Sequence, residues 1–265
     1  MTLRGSGAVF LLLAAISIWG SVQACEGASL KKGEDRPSEL TTLLNMKGSP
    51  EATQKKRATS IRIKVLTDTA QTLGFQRGFR WRYEQIYQAA DVRSLEFDRI
   101  FNFGALLIKN RVLPPVIQWA DKAVNIESDD YATSVEAQYR IVRPARIVST
   151  PPSWRGYLMM DLEALEVAPE IYPTSGEENK TWRSSIEKGW QEGVEHACDV
   201  FRMNMDQLVA EYRGMLRFKM LTDQGLVSVP TLAEGNLGVQ VGENVLNINQ
   251  KTFRITVPAA FRIVK

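Results

Sequence analysis

From Thr59 onward, apolar and small residues recur at helical spacing. Leu66, Ala70, Leu73, Gly74 and Arg77 fall three and four apart, which predicts a helix. Ala70, Gly74 and Gly78 share one face of it. Such a ridge lets another backbone approach closely, although a glycine inside a helix costs about 1 kcal/mol against alanine. A second, longer pattern follows: Trp182, Ile186, Trp190, Val194, Ala197, Phe201, Met205, Leu208, Tyr212 and Met215 step by three or four, while Lys188, Glu192, Glu195, Asp199 and Arg202 fall elsewhere. This predicts a helix from about Glu177 to Leu221, with a reach of roughly 60 Å at 1.5 Å per residue. A break near Gly189, Gly193 or Gly214 stays open. The aromatic stripe Trp182, Trp190 and Phe201 marks this helix as central to folding or docking.

Between the helices the pattern changes to β. Val135, Ala137, Tyr139 and Ile141 alternate with Glu136, Gln138 and Arg140, which predicts a half-buried strand. The double prolines in LPPVI (113–117) and TPPSW (150–154) cannot sit inside a helix or central strand and mark rigid turns. After Gly225 the alternation resumes through Leu237, Val239 and Val241. GEN then turns the chain, Val245 to Ile248 forms another run, NQK turns again, and Phe253, Ile255 and Val257 share a face. The expected class is α+β: a long helix and further helices packed with small antiparallel β-sheets. Sheet edges of this kind must be paired or covered, and a neighbour's strand is one way to do so.

The N-terminal region reads differently. An arginine precedes an apolar run of 12 residues, Ala8 to Trp19, and then SVQAC. The run suits an export signal and is shorter than the ~20 residues of a membrane-spanning helix. Val22-Gln23-Ala24-Cys25 resembles the box at which bacterial lipoproteins are cleaved and acylated on cysteine, with Gln23 where a small residue is usual; ordinary cleavage after Ala24 is the competing reading. The expected layout is 1–24 signal peptide, 25–58 lipid anchor and flexible tether, and 59–265 a single α+β domain. The tether is polar and mixed in charge, with a root-mean-square reach of roughly 30 Å. Within it, Leu40, Leu43, Leu44 and Met46 form a short helix that docks on a partner, or a transient helix in a linker.

Composition narrows the chemistry. The net charge is +3, or +2 once Arg4 leaves with the signal, which is not the footprint of a nucleic-acid binder. The interleaving of Arg80 and Arg82 with Phe79, Trp81, Tyr83 and Tyr87 fits single-stranded nucleic-acid contact, and equally a helix end with snorkelling arginines. Cys25 and Cys198 are the two cysteines, so lipidation of Cys25 leaves Cys198 as a lone buried thiol. His196 is the single histidine. On a helix, positions 196 and 198 point apart, so they form no nucleophile–base pair by local geometry. The sequence has too few ligands for a zinc site, and no phosphate loop or G-x-S-x-G elbow. Neither cofactor, metal nor catalytic residue is expected, and the chain reads as a non-enzyme.

Three separated stretches then occur in order: FDRIFNFGALLI with RVLPPVI at 97–117, YRIVRPARIVSTPPSWRGYLMM at 139–160, and the helix GWQEGVEHACDVFRMNMDQLVAEYRGMLRFKML at 189–221. With the terminal NINQKTFRITVPAAFRI, they resemble the DotC family, called TraI in I-complex conjugative plasmids, lipoproteins of Dot/Icm-type type IV secretion systems. The resemblance implies a periplasm-facing, lipid-anchored subunit of the outer-membrane core complex. Its partners would be a DotD-like lipoprotein and a DotH-like subunit, assembled as rings, with no direct nucleic-acid binding. The alternative from another class is a stand-alone periplasmic binding lipoprotein for a cell-wall fragment or small ligand, to which Trp154, Arg155 and Tyr157 would contribute. A hydrolase using His196 and Cys198 is weaker still.

Overall fold

The computed structural model describes residues 37–47, 60–128, 131–161, 167–242 and 244–262. Their helices are α1 (Ser38–Leu44), α2 (Ser60–Asp91), α3 (Ser94–Ile100), α4 (Arg155–Leu158) and α5 (Gly176–Asp223). The strands are β1 (Val112–Leu113), β2 (Val116–Ser128), β3 (Tyr131–Arg143), β4 (Arg146–Ile147), β5 (Thr231–Val241) and β6 (Leu246–Val257). The protein is therefore α+β, with strands in antiparallel pairs β1–β4, β2–β3 and β5–β6. Of the described residues, those within Met1–Ile100 and Leu158–Met205 make one compact unit, and those within Phe101–Tyr157 and Asp206–Lys265 make another. The signal segment and Cys25 lie outside the described residues.

In the first unit α2 and α5 run parallel, because contacts advance together along both: Arg62 meets Glu178, Gln71 meets Glu192, and Asn204 meets Tyr83. The small ridge explains how close they come. A Cβ on Gly74 would lie 2.5 Å from the Ile186 carbonyl oxygen, and one on Gly78 equally close to that of Trp190. From the other side, Gly189 faces the Gln71 carbonyl and Gly193 that of Phe75. The long helix expected from about Glu177 to Leu221 is present, and the break left open at Gly189, Gly193 or Gly214 does not occur. Helix α5 runs unbroken through all three, since packing against α2 at Gly189 and Gly193, and against β2 at Gly214, offsets the propensity cost of about 1 kcal/mol per glycine.

The start of α5 is fixed by a capping arrangement. Ser175 Oγ accepts from the Glu178 backbone N–H, while the Glu178 carboxylate accepts from the backbone and hydroxyl of Thr174 and from Arg62. The segment expected to dock on a partner or to form transiently instead packs on this chain's own core. Leu40, Leu43 and Leu44 of α1 are buried with Leu66, Ala70, Leu73, Trp182, Ile186, Trp190 and Val194.

In the second unit Ile117, Phe218, Leu221 and Val227 form a core, flanked by Ile108, Ile141, Leu226 and Ala259. Pro114 and Pro115 separate β1 from β2, and Pro151 and Pro152 precede α4. Gly214 of α5 leaves room for Val116 and Ile117, and Arg217 donates to the Ile117 carbonyl at 2.7 Å. Two sequence expectations are corrected here. The expected half-buried strand is β3, yet of its described side chains between 137 and 141, Ala137, Gln138, Tyr139 and Arg140 are exposed and Ile141 is partly covered. Alternation reports two faces, not whether anything lies against one of them. The expected turn at NQK is absent, because β6 continues through it. Asn249 adopts φ 58° inside β6, and asparagine tolerates that left-handed geometry. The register shifts around Gly238 absorb it as bulges.

Candidate functional site

Both long hairpins of the second unit present apolar side chains to solvent. On β2–β3, Trp119 lies opposite Tyr139, and the two are 49% and 37% exposed. On β5–β6, Val241 pairs with Leu246, which places Val239, Val241, Leu246 and Ile248 on one face by strand alternation. Val241 is 79% and Ile248 66% exposed. From 237 to 248 the sequence contains one charged residue, Glu243, so the tip has little of the charge that ordinarily blunts a strand edge. Among the described residues each hairpin is a two-stranded sheet, an arrangement marginal without further packing.

The base of the first hairpin is held by a buried carboxylate. Glu211 of α5 accepts from Tyr157 at 2.8 Å and from Gln207 at 3.0 Å, and pairs with Arg143 at the end of β3 at 2.6 Å. Burial, and then the hydrogen bond to Glu211, push the Tyr157 phenol well above its ordinary range. It stays a protonated donor. Arg143 opposes the one charge that Glu211 takes into the interior, and the three donors occupy both carboxylate oxygens. The sequence reading missed Glu211; its signal was Gln207 and Glu211 at i, i+4 beside the apolar stripe. The base of β5–β6 is braced by Arg111, whose guanidinium lies 4.2 Å from the centre of the Phe253 ring.

The stripe Trp182, Trp190 and Phe201 is buried inside the first unit. Trp182 Nε1 donates to the Leu43 carbonyl at 3.1 Å, Trp190 packs on Trp81 with ring centres 5.5 Å apart, and Phe201 meets Tyr83 edge-on. Phe79 and Tyr83, which alternate with Arg80 and Arg82, are buried too. They form core, not a stacking platform for bases. Trp154 is buried in the second unit, and Arg155 stacks 4.3 Å over its ring. Cys25 lies outside the described residues. His196 is exposed and packs between Phe75 and Phe79, whereas Cys198 is buried. Among the described residues no group of His, Cys, Asp and Glu is placed to hold a metal ion, and no helix is long and apolar enough to cross a membrane.

The profile of a family described as type IV secretory system, conjugal DNA-protein transfer, matches residues 60–265. The chain belongs to this TraI family and takes part in type IV secretion and conjugal transfer. A comparison with curated proteins finds no match.

Proposed function

We propose that the chain is a structural lipoprotein subunit of the outer-membrane core complex of a type IV secretion or conjugative transfer system. The observation that carries this is the pair of long hairpins whose apolar side chains and strand edges face solvent, in a protein of a transfer family. Acylated Cys25 anchors the chain to the outer membrane, facing the periplasm. The hairpins dock on neighbouring subunits, DotD-like and DotH-like proteins among them. Ring geometry multiplies weak contacts into a stable assembly, because each bound subunit raises the effective concentration of the next. The role is passive: the chain turns over no substrate and contacts no nucleic acid directly.

The test is purification of the tagged chain from a transfer-competent cell after mild detergent extraction. Other core subunits are expected to co-purify, and Val239→Glu with Ile248→Lys should release them while leaving thermal stability unchanged. Recovery of the wild-type chain alone, monodisperse and without partners, would sink this reading.

A further inference from the structure

Helix α1 has two contrasting faces. Leu40, Leu43 and Leu44 are buried in a groove built by Leu66, Ala70 and Leu73 of α2 with Trp182, Ile186 and Trp190 of α5. Ser38, Glu39, Thr41 and Thr42 face solvent, and the two threonine hydroxyls bond back to Pro37 and Ser38 carbonyls. The indole N–H of Trp182 donates to the Leu43 carbonyl at the end of the helix, which the Met46 backbone N–H reaches only at 3.5 Å. A seven-residue helix does not hold itself together in water. Its folding and its docking are therefore one event: α1 is helical and seated, or unfolded and released.

We infer that α1 is a clasp that sets how far the body can stand from its membrane anchor. This rests on the acylation of Cys25 proposed above. Ser38 follows Cys25 by 13 residues and Ser60 follows it by 35. With α1 seated, the anchor lies at most about 45 Å along the chain from the body; with α1 released, the same limit is about 120 Å. The groove thus converts a long leash into a short one without removing any sequence. Release of three leucines returns the long one.

Two insertions in the full chain test this without touching the groove. About twenty Gly and Ser residues are added either ahead of α1, between Glu26 and Arg36, or behind it, between Gly48 and Lys55. The acylated protein is placed in phosphatidylethanolamine–phosphatidylglycerol vesicles containing acceptor-labelled lipid. A donor dye is attached at Lys188→Cys in a Cys198→Ala background. The insertion ahead of α1 should lower energy transfer at least twofold, whereas the one behind should leave it unchanged, since a seated α1 keeps that segment out of the leash. Leu40→Asp with Leu43→Asp should make the second insertion count. Equal losses from both insertions in the wild-type groove would overturn the clasp. Failure of every variant to bind vesicles would overturn the lipid anchor instead. Amide exchange separates docking from anchoring: residues 41–46 should exchange at least tenfold more slowly than an unfolded chain, and unprotected amides there overturn the docked helix whatever the anchor does.

Discussion

Replacing Gly193 by alanine raises helix propensity by about 1 kcal/mol, yet the new Cβ would land on the backbone carbonyl of Phe75. That obstacle is main chain, so only a shift of one helix relieves it. Overpacking of this kind costs about 1–3 kcal/mol and wins. Gly189→Ala and Gly193→Ala should each lower stability by about 1–2 kcal/mol in urea unfolding, whereas Gly176→Ala, with nothing within 4 Å, should be neutral or slightly stabilising. Trp190→Ala should cost about 3–5 kcal/mol. Lys188→Ala loses only an exposed contact with Glu192 and should shift stability by less than about 0.5 kcal/mol. Equal effects of Trp190→Ala and Lys188→Ala would show that the stripe is not the core. The ridge Ala70, Gly74 and Gly78 was legible in the sequence because helical spacing puts small residues on one face. The matching role of Gly189 and Gly193 was not, because a glycine that breaks a helix and one that admits a neighbour look alike without the neighbour.

At the scale of elements, the N-terminus of α5 carries a pH dependence. The hydrogen bond from Arg62, reinforced by those from Thr174 and opposed by burial, holds the Glu178 carboxyl at about 2 against an ordinary 4.5. A depressed carboxyl stabilises the fold above its unfolded value and loses that contribution as it is protonated. Stability should therefore fall as pH drops from about 4.5 to about 2, by on the order of 3 kcal/mol. Glu178→Gln should be less stable at neutral pH and should flatten that slope; an unchanged slope in a pH series of unfolding midpoints would refute the assignment. Both long helices could be read from their period, and the rigid turns from their prolines. The solvent-facing hairpins could not, since Tyr139 alternates with its neighbours whether or not its face is covered. Nor could the seat of α1, because three leucines in seven residues say that something is buried and not where.

For the molecule as a whole, the family places the chain in a transfer apparatus, and the role proposed above requires the hairpins rather than any reactive group to act there. His196→Gln with Cys198→Ala changes little volume at one exposed and one buried position. Conjugal transfer should persist at wild-type frequency whenever the double variant accumulates normally. Normal accumulation and assembly with no transfer would call for a chemical role. Glu211→Ala should act differently, leaving Tyr157 and Arg143 without their carboxylate. Arg143 is half exposed and can be hydrated, so the loss is that of a buried phenol left without its acceptor, about 1–3 kcal/mol, and protease sensitivity of β2–β3 would report it first.

The pairing of α2 with α5 also sets a timetable for synthesis. Their polar contacts join residues 116 to 121 positions apart. When α2 leaves the ribosome, the surface that will cover Gly74 does not yet exist. At about 5–20 residues per second, the ridge waits on the order of ten seconds for Gly189 and Gly193. Through that interval Leu66, Leu73 and Phe79 have no native cover from α5. A nascent chain in this state is a natural client for whatever shields apolar segments on their way to a folded protein.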